Sequence, residues 1–370
     1  MPPKPASLRA LLDLTSTTLT LLTHFQSSLA PTATADASVP PPPNSLQALK
    51  ACTSLLKSHT TTLSLLLLTP PLTPSAIITK IGDVSSGPLA GLVGAAVAEG
   101  ELGDLMQAEV KIQVRRLLGA WGDVVGCVAR LAERRKKLED ENGGGAAKGK
   151  KDEGPTEGER QAVLAATGVV WEACDALVKL CDGGIAGLVV RKAEEWRSVL
   201  LDAVQELKEW GEDVDQEDDE EDGSGGEFGD EDDMFGAANR LGKEDKDLKE
   251  VLDKSVKKLK MVGVLYLALI KRRLKTFPAV LPAVAATAVG HKNPMTTLEE
   301  LMKFIKSIPE QVDDLASAFY DLDEDEAKTM LDKCCREAKS AASLVKQDWS
   351  GNEDEFTAWS TKWEDAFNEQ

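Results

Sequence analysis

Gly144-x4-Gly149-Lys150 has the glycine and lysine spacing of a phosphate-binding loop. Such a loop needs backbone amides between a strand and a helix to converge on phosphate, and a Ser or Thr after the lysine to hold magnesium. Here Lys151 takes that last position, a charged helix precedes, and Asp152-Glu153-Gly154-Pro155 follows, so the segment reads as a linker. Asp321, Asp323 and Asp325 have the one-three-five spacing of a calcium loop, but Glu326 and Asp332 stand where glycine and a bidentate glutamate are required. With Ala327 and Lys328 next, they fit the first turn of a helix, where the macrodipole favours negative charge. Cys174 and Cys181 lie two helical turns apart, which suits small core residues better than zinc ligands. Cys334-Cys335 has no neighbouring histidine or helix start to activate a thiolate, and His24, His59 and His291 are isolated. No nucleophile elbow, His-Glu-x-x-His pair or dinucleotide glycine fingerprint occurs, and the paired carboxylates belong to solvated faces. No catalytic residue, metal ligand or cofactor is assigned, and the chain reads as a non-enzyme.

Two groups of residues point instead to binding. Phe356, Trp359, Trp363 and Phe367 share one face of a C-terminal helix. Packing against the rest of the molecule is the plainer account; an anchor for a partner's groove is the sharper one, since tryptophans dominate interface hot spots. Lys254, Lys257, Lys258 and Lys260 form a basic stretch leading into an apolar stripe. A DNA-binding helix-loop-helix protein would fork two such helices into a major groove, but Asp245, Asp247, Glu250 and Asp253 lie on or near the same surface and would repel phosphates. A wetted helix face is the plainer account. Trp359 and Trp363 for anchoring, with Lys254, Lys257 and Lys258 for electrostatic docking, are therefore the candidate protein-binding residues.

The elements that must carry these groups follow from apolar spacing. Of 370 residues 42% are hydrophobic, enough for a sizeable core, and only 5% are aromatic. Steps of three and four recur through Leu8, Leu12, Thr15, Leu19, Leu22, Gln26 and Leu29. They recur through Val110, Val114, Leu117, Trp121, Val124, Val128 and Leu131, and from Val189 to Trp210. Leu248 to Leu269, broken only by Ser255, and Leu298 to Leu322 complete the set. This spacing puts one apolar stripe along each helix, and no segment alternates with period two. Helices are expected at 6–29, 45–68, 101–139, 158–210, 244–276, 296–321, 325–347 and 353–368. Long helices with one dry stripe pair side by side, so the fold class is all-α, an antiparallel multi-helix bundle of about five long helices plus shorter ones.

Pro31 and the run Pro40–Pro43 end the first helix, and Pro70, Pro71 and Pro74 end the second. The stretch 81–100, rich in glycine and alanine, is either a short packed helix or a loop, and Gly183-Gly184 either breaks the helix 158–210 or is tolerated within it. From Glu212 to Asp233, 14 of 22 residues are acidic and none is basic; without them the net charge changes from −19 to −5. Such a block does not fold alone. Arg240–Lys275 follows with 12 basic and 5 acidic residues, so the acidic block is expected to lie against this helix or to compete for it with a partner. The expected organisation is an N-terminal helical part (1–211), an acidic disordered loop (212–242) and a C-terminal helical part (243–370) packing with the first. The acidic balance argues against direct nucleic-acid binding. No stretch is long and apolar enough for a membrane span, the best run being closed by Lys260 and Lys271. Lys4, Arg9 and Ala33-Thr34-Ala35 imitate a signal peptide, but Asp13, His24 and many threonines interrupt its apolar part.

Gly168-Val-Val-Trp-Glu-Ala-Cys-Asp175 and Leu200-Leu-Asp-Ala-Val-Gln-Glu-Leu-Lys-Glu-Trp210 resemble the middle of cyclin-D-binding proteins, with the acidic insert following Trp210. Val312-Asp-Asp-Leu-Ala-Ser-Ala-Phe-Tyr-Asp-Leu322 is similar to the family's C-terminal half. The resemblance implies a helical bundle related to vinculin and α-catenin modules. It implies a regulator, nuclear and cytoplasmic, that restrains cell-cycle progression by binding a D-type cyclin, a signalling adaptor or a helix-loop-helix factor. The proline-rich first linker and the Gly/Lys linker depart from it. A cytoskeletal or adhesion-type adaptor, and a dominant-negative helix-loop-helix transcription regulator, are the alternative readings.

Overall fold

The computed structural model describes residues 8–31, 44–98, 102–141, 154–212, 241, 245–278 and 293–370. These are helical almost throughout, with no strand among them. The chain divides into two compact units, Met1–Ile185 and Ala186–Gln370. The Gly/Lys linker and almost all of the acidic block lie outside the described residues.

The first unit holds α1 (Leu8–Ser28), α2 (Ser45–Leu68), α3 (Pro74–Val84), α4 (Ala90–Val97), α5 (Gly103–Glu141) and the first part of α6 (Glu157–Glu212). Helix α5 lies antiparallel to α1, since Gly119 faces Gln26 while Gly122 faces Leu22 and Leu19. The α5 stripe from Val110 to Leu131 is buried along its whole length. The α1 stripe is met in part: Thr15, Leu22 and Leu29 face inward as expected, but Leu11 and Thr18 are buried with them while Leu19 is exposed. With so many threonines in α1, apolar spacing alone does not mark its inner face, and Thr15 becomes tolerable inside by donating its hydroxyl to Leu12 O at 2.8 Å.

Helix α6 runs antiparallel to α2 and α5. Lys57 reaches Asp175 and Lys50 reaches Asp182 from α2, while Arg116 pairs with Glu172 and Arg134 with Glu159 from α5. Its start is a reciprocal cap in which Thr156 N donates to Glu159 Oε2 at 2.7 Å and Glu159 N to Thr156 Oγ1 at 3.3 Å. Cys174 and Cys181 are buried in this packing, and desolvation pushes their thiols up to about 12 and about 11. Gly184 interrupts the helix with φ 56° and ψ −159°, a conformation reserved for glycine, so the pair Gly183-Gly184 does break α6.

The region 74–97 is helical. Pro74 opens α3 at its first turn, where the absent N–H costs nothing, and a π-turn over Ser85–Leu89 carries Pro88 into α4. Proline here starts one helix as well as ending another.

The second unit holds the rest of α6 with α7 (Lys246–Leu269), α8 (Pro294–Tyr320), α9 (Glu324–Leu344) and α10 (Glu355–Glu369). Helices α6 and α7 pack closely and antiparallel: a Cβ on Gly263 would meet Leu201 Cδ2 at 2.9 Å, and Arg197 Nε donates to Gly263 O at 3.0 Å. The α7 stripe is buried, its polar exception Ser255 bonding back to Val251 O at 2.7 Å. Asp323 caps α9, with Glu326 N donating to its Oδ1 at 2.9 Å, so the acidic triplet stands at a helix start.

Candidate functional site

The candidate binding residues fall on α7 and α10, both in the second unit. The two helices run antiparallel. Lys258 Nζ donates to Phe367 O at 3.0 Å, Trp363 Nε1 to Met261 O at 3.0 Å, and Arg273, past the end of α7, reaches Asp354 at the start of α10.

The aromatic face of α10 forms a ladder. Ring centroids lie 5.5 Å apart for Phe356–Trp359, 6.4 Å for Trp359–Trp363 and 4.7 Å for Trp363–Phe367. Phe356 and Phe367 are fully buried and Trp363 is 5% exposed, while Trp359 is half-buried. Lys258 stands over the Phe367 ring at 4.8 Å, a cation–π contact added to its carbonyl bond. Trp363 and Lys258 are thus joined within the unit, while Lys254 and Lys257 are exposed on α7. Burial raises the thiol pKa of Cys335 on α9, and Lys258, Lys339 and Lys254 pull it the other way.

A buried arginine holds the end of this platform. A π-turn over Ile270–Leu274 closes α7 and carries Arg273, which is 1% exposed. Its Nη1 and Nη2 reach Asp354 Oδ2 and Oδ1 at 2.7 and 2.8 Å, a bidentate pair. Nε donates to Val345 O at 2.7 Å and Nη2 also to Lys346 O at 3.1 Å, while the guanidinium lies 4.4 Å from the Phe356 ring centroid. Asp354 caps α10 as well, accepting from Phe356 N at 3.0 Å and Thr357 N at 3.1 Å. Arg273 holds the Asp354 carboxyl well below the usual carboxylate range. Trp349 completes the joint, donating Nε1 to Arg273 O at 2.8 Å and meeting Phe277 edge-on. Sequence reading missed Arg273 because it stands among Lys271, Arg272 and Lys275, where another basic residue carries no sign of burial. The available signal was Asp354-x-x-Thr357, a cap with charge to share.

Among the described residues no group of three His, Cys, Asp or Glu side chains gathers as a metal site, and no helix is long and apolar enough to cross a membrane. The platform offers helix faces, aromatic edges and lysines, which suits contact with other proteins.

Residues 48–213 match the family model described as Grap2 and cyclin-D-interacting, N-terminal. Over these residues the chain is similar to the N-terminal domain of the Grap2 and cyclin-D-interacting family. The matched segment begins within α2 and ends just past α6, so it contains the stretches Gly168–Asp175 and Leu200–Trp210. Val312–Leu322 and the α7–α10 platform lie beyond it. The chain is also 26% identical over 322 residues to an uncharacterized protein of Schizosaccharomyces pombe, covering 86% of this chain and 82% of that one.

Proposed function

We propose that this chain is a non-enzymatic protein-interaction module that binds a D-type cyclin and restrains cell-cycle progression in nucleus and cytoplasm. The family match over residues 48–213 carries this reading. Its mechanism is presentation of preformed helix faces: the partner meets side chains already held by packing, so little ordering entropy opposes association. In the matched segment the buried stripes of α5 and α6 hold these faces in place, with mostly exposed ion pairs from α6 to α2 and α5 at the rim.

The test is affinity purification with the full chain as bait, followed by direct titration of a purified D-type cyclin from the same organism. Saturable binding is expected, and it should survive exhaustive washing. A bait that retains other proteins but neither captures nor binds any cyclin would overturn the cyclin assignment. Capture of a signalling adaptor or a helix-loop-helix factor alone would replace it.

A further inference from the structure

Lys254–Lys275 contains eight basic residues and no acidic one. Lys258 and Arg273 are engaged inside the second unit, and Arg272 pairs with Glu355. Lys257, Lys260, Lys271 and Lys275 are exposed, and no ion pair holds them among the described residues. Between these lysines the surface is apolar, with Val264 51% exposed and Leu267 38% exposed. From Lys260 to Lys271 the helix rises about 16 Å, or three turns. The outer face of α7 is therefore a short apolar patch with paired cations at each end. Glu250 and Asp253, exposed one to two turns before Lys257, bound it with the opposite sign.

We infer that this face docks an acidic amphipathic helix of a protein partner. The partner's apolar side chains cover Val264 and Leu267, and carboxylates about three turns apart meet Lys257/Lys260 and Lys271/Lys275. Charge complementarity selects this occupant. Glu250 and Asp253 repel an acidic segment that slides too far towards the start of α7, which sets the register. Nucleic acid fits poorly, because phosphates would press on an uncovered apolar centre and the whole chain carries −19. A membrane surface fits poorly as well, since two apolar side chains are too few to hold a helix in the interface. The inference deepens the protein-binding reading and rests on it, but does not require the partner to be a cyclin.

The probe is a synthetic helical peptide of roughly 18 residues, with a central leucine pair and glutamate clusters one and a half turns to either side. A shuffled isomer of the same composition and phosphatidylserine vesicles are run beside it. Titration against the full chain is expected to show saturable binding of the peptide. Lys257→Glu/Lys260→Glu, Lys271→Glu/Lys275→Glu and Val264→Asp should each weaken it at least tenfold, with unchanged melting curves, because all these side chains point to solvent. Lys179→Glu, exposed on α6 in the first unit, should leave it unaltered. Equal binding of the shuffled isomer, insensitivity to the lysine reversals, or displacement of the peptide by vesicles would each overturn the inference. Because the probe is a designed peptide, its binding supports this face whether or not a cyclin is captured, and its loss removes this face alone.

Discussion

Tyr266 and Pro309 repair one another at a distance of one helix. Pro309 sits inside α8 without an N–H, which leaves the carbonyl of Ile305 short of its helical donor. The fully buried Tyr266 hydroxyl of α7 donates to that carbonyl, and burial raises the phenol's pKa far above its ordinary range. Tyr266→Phe should therefore cost about 1–3 kcal/mol in denaturant melts, the penalty of an unsatisfied buried acceptor. In a Pro309→Ala background the backbone N–H returns, and the same substitution should cost less; equal costs in both backgrounds would show that the two residues are uncoupled. Asp354 has a different signature. Its folded-state pKa is depressed, so its contribution is present above the unfolded value of about 4 and is lost as pH falls towards the folded value. Asp354→Asn keeps a good helix cap but removes the charge facing Arg273. At neutral pH it should lose about 1.5–3 kcal/mol, and the gap from the parent should close as the melts are repeated below about pH 4.

At the scale of elements, α10 tests whether the aromatic ladder belongs to the core. Phe356, Trp363 and Phe367 are buried, and Asp354 neutralises a buried guanidinium. A chain ending before Ser350 should lose the cooperative melting of the second unit, followed by near-ultraviolet circular dichroism; a truncated chain that melts as before but has lost its partner would make α10 an anchor instead. The break in α6 gives a second check. Gly184 has positive φ, so Gly184→Ala should cost about 1–3 kcal/mol, while Gly183→Ala, helical and facing open space, should be neutral or stabilise by up to about 1 kcal/mol. The spans of α2, α5, α8 and α9 were legible to within a few residues, because their apolar residues recur with the helical period and proline or acidic caps mark their ends. The inner face of α1 was legible only in part, at Thr15, Leu22 and Leu29, because threonine is at home both in water and, bonded back to its own helix, inside.

For the whole molecule, charge rather than packing governs the remaining prediction. Residues 212–233 carry 14 of the 62 acidic side chains, next to a stretch with a local excess of lysine and arginine. Deleting them should raise the chain's affinity for an anionic column such as heparin and shift elution to higher salt, since exposed charges are screened over about 8 Å at physiological ionic strength. Unchanged elution would mean that the acidic block does not mask the basic helix. By itself the sequence determined the all-α class, most helix spans and the charge pattern, because these depend on neighbours three or four residues away. Only the tertiary structure decided that Arg273 lies inside, that Tyr266 serves Ile305, that Trp363 and Lys258 bond across α7 and α10 while Lys257 is exposed, and that Gly184 ends a helix. A side chain's burial and its partner are set by the helix it meets, and Arg273 meets a carboxylate 81 residues further along the chain, a separation that no local pattern records.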